Sequence, residues 1–150
     1  MTIAMATELE LALFGQELEE IKLLPEAPRW AIERDHEVPL GLYATMHPLA
    51  HPDHRYKARI RWTNYFAPFS LKFVNLRTNS DGEPSAWPKC YGFRPSSLDV
   101  CLPWTAEGLQ LHPEWRTSAR HAVAVIDAPM QHALLRVQDS LDNTYEGRGP

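Results

Sequence analysis

The residues of this sequence that could do chemistry are two cysteines, a histidine-rich turn and a basic row. Cys101 lies in FRPSSLDVCLPW, from Phe93 to Trp104, a turn-rich segment flanked by aromatics. A thiolate is an intrinsically strong nucleophile, and some is present near neutral pH even at an unshifted pKa. Cys101 is therefore the expected reactive centre. Cys90, in WPKCYGF, has equally aromatic neighbours but lacks the proline-led approach and the following leucine, so it reads as a small buried hydrophobe. MHPLAHPDHR sets His47, His51 and His54 at spacings of four and three beside Asp53, a group that could hold zinc. It falls between two strands expected to form a hairpin, and prolines follow two of its histidines, so it reads as an exposed loop with no metal expected. Arg55, Lys57, Arg59 and Arg61, extended by Lys72, could meet phosphates. Without exposed aromatics for stacking bases, the row reads as the charged face of a sheet, and nucleic acid is not an expected partner. No glycine-rich phosphate loop and no GxSxG or HExxH string is present, and no cofactor is expected.

The elements that must position these groups follow from hydrophobic period. Thr7 and Glu10 form a capping box, and Leu11, Phe14, Leu18 and Ile21 fall on one helical face. Glu8, Glu17, Glu19 and Glu20 are expected on the opposite, solvated face, with Pro25 and Pro28 closing the helix. From Trp30 the period becomes two. Trp30 and Ile32, then Leu40 to Met46, then Tyr56 to Trp62, then Leu71 to Leu76 after the turn TNYFAPFS predict a four-stranded antiparallel meander. Tyr56, Ala58, Ile60 and Trp62 point one way, and Lys57, Arg59 and Arg61 the other, as in a half-buried strand. Between Asn79 and Pro103, Asp81-Gly82 and repeated prolines break every regular element. Trp87, Tyr91, Phe93, Leu98, Val100, Leu102 and Trp104 are too apolar for disorder and imply a long loop packed along the sheet. Thr117 or Ser118 is expected to cap a short helix through Ala122, Val123 and Ile126. Asp127 and Pro129 start a last helix with Met130, Leu134, Val137 and Leu141 as its stripe, before a tail, NTYEGRGP, frayed at its end.

Composition bounds the rest. The 150 residues, 44% hydrophobic, suit one α+β domain spanning 1–150. A net charge of −4 gives no general case for polyanion binding. Two cysteines are too few for a disulfide scaffold, no apolar run approaches the ~18 residues needed to span a bilayer, and no positive flank precedes an apolar core at the N-terminus. The expectation is a reducing cytoplasm without membrane contact.

Helix, four-stranded meander, aromatic-proline turn, cysteine loop and C-terminal helices together resemble the ubiquitin-conjugating enzyme fold. YKARIRWTNYFAPFSLKF is similar to that family's third strand, its tyrosine-proline turn and its fourth strand, and FRPSSLDVCL to the segment leading to its active-site Cys-Leu. Pro95, six residues before Cys101, fits the shortened form carried by bacterial members. The resemblance implies an acyl carrier. Cys101 would accept a ubiquitin-like protein as a thioester from an activating enzyme and pass it to a target, in a bacterial antiviral conjugation pathway that includes a deconjugating metalloprotease.

Departures from the family pattern bear on the supporting groups. Arg94 stands where the family has histidine, and no asparagine follows Pro95 to steady an oxyanion, a role left to Ser96, Ser97 or backbone amides. Asp99 could orient or deprotonate an attacking amine, and His112 is the other acid-base group near in sequence. The first helix is acidic where many members present a basic one to the activating enzyme. The alternative is a noncatalytic domain of the same fold that binds a partner and uses Cys101 for packing, with a metal-binding protein a distant third.

Overall fold

The computed structural model describes residues 5–118 and 127–150. Thr7 caps helix α1, Glu8–Ile21, its hydroxyl accepting from the Glu10 amide while the Glu10 carboxylate accepts from the Thr7 amide. Phe14, Leu18 and Ile21 are buried as expected, but Leu11 is exposed and Glu17, assigned to the solvated face, is buried. The cause is period. Glu17 stands three residues after Phe14 and four before Ile21, on the apolar stripe itself. Its carboxylate accepts from the Tyr65 hydroxyl and from the backbone amides of Met130 and Gln131, both at 3.0 Å. Three donors replace water, so the charge can sit inside.

Trp30 begins no strand. It ends a helical turn, α2 (Ala27–Trp30), and Ala31 then reverses the chain at φ 41°. Strands β1 (Glu33–Arg34), β2 (Gly41–Met46), β3 (Tyr56–Arg61) and β4 (Ser70–Val74) form an antiparallel sheet in sequence order, a meander. On β3, Tyr56, Ala58 and Ile60 are buried while Lys57, Arg59 and Arg61 are partly exposed, the alternation read from the sequence. Strand β4 stops before Leu76 because the Asn75 side chain accepts the amides of Arg77 and Thr78 and turns the chain.

Helix α4 (Pro129–Asn143) buries Met130, Leu134, Val137 and Leu141, and one hydrophobic cluster runs from Phe14 through the sheet to Leu141. Gln138 on α4 accepts from Trp30 Nε1 at 3.1 Å and donates to the His47 carbonyl at 3.0 Å, tying the helix to α2 and to the chain just after β2. The helix expected through Ala122, Val123 and Ile126 lies outside the described residues. Among the described residues, no helix is long and apolar enough to cross a membrane.

The long loop is packed, as its aromatics imply, though Tyr91 is an exception at 77% exposure. It also contains elements that the sequence hid. A short hairpin of β5 (Phe93–Arg94) and β6 (Asp99–Val100) is followed by helix α3, Ala106–Leu111. The tail is docked rather than frayed. Glu146 N donates to Lys89 O, Lys89 N to Gly147 O and Gly149 N to Trp87 O, each at 2.7 Å.

Candidate functional site

Cys101 leaves the open end of the β5–β6 hairpin. Phe93 pairs with Val100 and Arg94 with Asp99, and one further bond, Cys101 N to Gly92 O at 2.8 Å, extends the ladder. Phe93 and Val100 are buried, so the hairpin's inner face carries them against the sheet. Period two then sends Arg94, Asp99 and Cys101 to the other face, where the cysteine is partly exposed.

The residues beyond Cys101 fix its place. Leu102 is buried and is approached from two sides by glycines. Gly92 has φ +78°, and a Cβ there would lie 2.5 Å from Leu102 Cγ; a Cβ on Gly108 would lie 2.1 Å from the Leu102 carbonyl oxygen. The Thr105 hydroxyl donates to Val100 O at 2.6 Å and accepts from Gly108 N at 3.0 Å, so one buried side chain caps α3 and holds the end of β6. Ala106 N donates to Phe69 O at 2.8 Å, and Glu107 accepts from the Ser70 hydroxyl and the Leu71 amide, locking α3 onto β4. Lys72, assigned to the basic row, donates to Leu98 O at 2.7 Å and anchors the hairpin's far end. None of Gly92, Thr105 or Gly108 was picked out from the sequence. The available signal was a threonine three residues before a glycine, just after Cys-Leu.

Arg94 and Asp99 are brought together. Arg94 donates through Nε and an Nη to the two Asp99 oxygens, both at 2.6 Å. Those bonds raise the guanidinium's pKa. Ser96 and Ser97 sit exposed in the turn at the hairpin's tip, the opposite end from Cys101. His112 caps the C-terminus of α3; its Nδ1 meets Glu114 at 3.1 Å and its ring stacks on Trp115 at 4.2 Å between centroids. Its Nδ1 and one face of its ring are thus engaged by the turn after α3.

The rival cysteine is different in kind. Cys90 is buried, and burial pushes its thiol up to about 12, so almost no thiolate forms near neutral pH. It floors a groove of about 600 Å³ that Tyr91, Pro95, Thr144 and Glu146 help to line. In the histidine turn, His51 stacks on His54 at 4.7 Å and His54 Nδ1 meets the Tyr145 hydroxyl at 2.9 Å, while His47 Nδ1 lies 2.8 Å from the Pro48 carbonyl oxygen. Among the described residues, no group of three His, Cys, Asp or Glu side chains is placed to hold a metal ion. On the sheet face, Lys57 pairs with Glu33, Arg59 with Asp81, and Arg61 with Asp35 and Glu37.

The site thus presents one partly exposed thiol at a fixed backbone position, beside a guanidinium already bound by a carboxylate. A thiol so placed could attack an electrophile delivered from outside. No family model, curated protein or solved structure matches the chain.

Proposed function

We propose that this protein is an acyl carrier of the ubiquitin-conjugating type, with Cys101 as the residue that is charged. The Cys101 thiolate attacks the thioester carbonyl of a ubiquitin-like protein held on an activating enzyme; the new C–S bond forms and the activating enzyme's thiolate leaves. In a second transfer, an amine or other nucleophile of the target attacks that carbonyl and the Cys101 thiolate departs. The incoming thioester is already activated, so placement rather than an acidic thiol supplies much of the rate.

The observation that carries the reading is the clamp on Leu102. Gly92, Thr105 and Gly108 hold the Cys-Leu step at one position after a helix and a four-stranded meander, leaving the sulfur partly exposed beside a buried leucine. The chain order agrees with the resemblance in the sequence, and a reducing cytoplasm would keep both cysteines as thiols. The pathway assignment, with its activating enzyme, modifier and metalloprotease, rests on that resemblance alone.

One finding favours the noncatalytic alternative. Arg94 and Asp99 hold each other, His112 is held by Glu114 and Trp115, and the serines lie at the hairpin's tip. A charging assay separates the two readings: the protein, any activating enzyme and ubiquitin-like protein found encoded beside it, and ATP, analysed with and without thiol reductant. A carrier gives a reductant-sensitive adduct. No adduct, with the activating enzyme charged and the protein folded, leaves the partner-binding domain.

A further inference from the structure

The sheet face of this acidic chain is neutralised almost residue by residue. Lys57, Arg59 and Arg61 each have a carboxylate within ion-pair distance, and Arg94 is bound by Asp99 on the hairpin. Three other arginines break the pattern. Arg55 precedes β3, Arg77 lies in the turn after β4, and Arg148 belongs to the docked tail, yet all three line one groove of about 370 Å³. The groove's lining contains no carboxylate, and among the described residues none stands within ion-pair distance of any of the three.

Arg148 is also preset. Its guanidinium lies over the Tyr56 ring at 4.5 Å and donates to Ser85 O at 3.1 Å and Arg55 O at 3.3 Å, leaving further N–H donors. Those backbone bonds and the docked tail fix one cation in a groove that two further arginines line, so an anion there has three arginines and no carboxylate among the lining residues. Thr78 and Ser85 add hydroxyls, and half-exposed Leu76 supplies an apolar edge.

We propose that this groove binds a small phosphate-bearing molecule through Arg55, Arg77 and Arg148. Guanidinium forks match phosphate oxygens in geometry as well as charge, and the volume falls within the range of small-molecule sites. A nucleic-acid polymer is disfavoured because the neighbouring basic row is already paired and offers no continuing track. The site is independent of Cys101 and of the carrier reading.

The test is titration of the full chain with inorganic pyrophosphate, and separately with inorganic phosphate, followed by calorimetry and amide chemical shifts at low salt. Saturable binding is expected, tighter for pyrophosphate, with shifts centred on residues 74–78, 85–86 and 148. R55Q and R77Q, both at exposed side chains, should each weaken it roughly tenfold or more, R77K less than R77Q, and R116Q on the turn after α3 should leave it unchanged. Absence of saturation in the folded protein would overturn the proposal, as would equal loss in R116Q. A short single-stranded oligonucleotide that binds more tightly than pyrophosphate, with shifts running along β3, would replace the small molecule with a polymer.

Discussion

At the scale of single residues, the two cysteines should behave oppositely towards an electrophile. Cys101 is partly exposed, whereas Cys90 is buried and its thiol is pushed up to about 12. Under limiting iodoacetamide near pH 8, mass analysis of the folded protein should show carbamidomethyl first and predominantly at Cys101, because attack needs an accessible thiolate. Equal or faster labelling of Cys90 would contradict the assignment. The same burial makes the fold sensitive to alkali. Cys90, Tyr56 and Tyr65 all hold their protons to higher pH in the folded state, chiefly because desolvation disfavours their anions. The unfolded chain then releases protons first. The stabilising contribution is complete below about pH 9 and declines as pH rises, for Cys90 through the interval from its usual 9.0 to about 12. Urea unfolding at pH 8, 9.5 and 10.5 should show a progressive loss, with a limiting slope of about 1.4 kcal/mol per pH unit for each titrating group. A flat profile would remove these groups from the account. The burial of Cys90 was legible from its neighbours, but Glu17 was misplaced although its helical spacing already put it on the buried stripe.

At the scale of elements, the β5–β6 hairpin and α3 act as a clamp on the Cys101–Leu102 step. Gly108 decides this most sharply, because two effects of alanine there have opposite signs. Helix propensity alone favours Ala by about 1 kcal/mol in a helix interior. The added Cβ would stand 2.1 Å from the Leu102 carbonyl oxygen, a backbone overlap that α3 or the cysteine segment must move to relieve. Overpacking of that kind costs about 1 to 3 kcal/mol or more, so Gly108→Ala should destabilise, measured by denaturant unfolding. A gain in stability would show that the clamp is looser than described. The hairpin and α3 escaped the sequence reading for physical reasons. Strands of two residues are too short for a period to register, and α3 is a single capped stretch containing a glycine. The tail was read as frayed because its polar, glycine-containing sequence has no period; backbone pairing with residues 87–89 and Arg148 over Tyr56 hold it instead.

At the scale of the molecule, the order of helix, meander, cysteine segment and final helix was legible, because β2, β3, β4 and the α4 stripe are long enough to show their period; the two-residue β1 was placed early, at Trp30 and Ile32. What ties these layers was not. Glu17 joins α1 to the first turn of α4 and to Tyr65 through three hydrogen bonds. Glu17→Ala strands those donors in a buried place and should cost about 2 to 4 kcal/mol of unfolding free energy, with Glu17→Gln less severe because it keeps an acceptor. A cost below about 0.5 kcal/mol would mean that the layers are held by apolar packing alone.

The proposed carrier role requires this scaffold to present the Cys101 sulfur to an activated acyl group. The most direct measurement is intact-mass analysis of charging with activating enzyme, ubiquitin-like protein and ATP, comparing the wild type with Cys101→Ser, Cys101→Ala and Cys90→Ala. The account predicts a reductant-labile adduct in the wild type and in Cys90→Ala, a reductant-stable oxyester in Cys101→Ser, and none in Cys101→Ala. An adduct that persists in folded Cys101→Ala, or no wild-type adduct beside a charged activating enzyme, would contradict it.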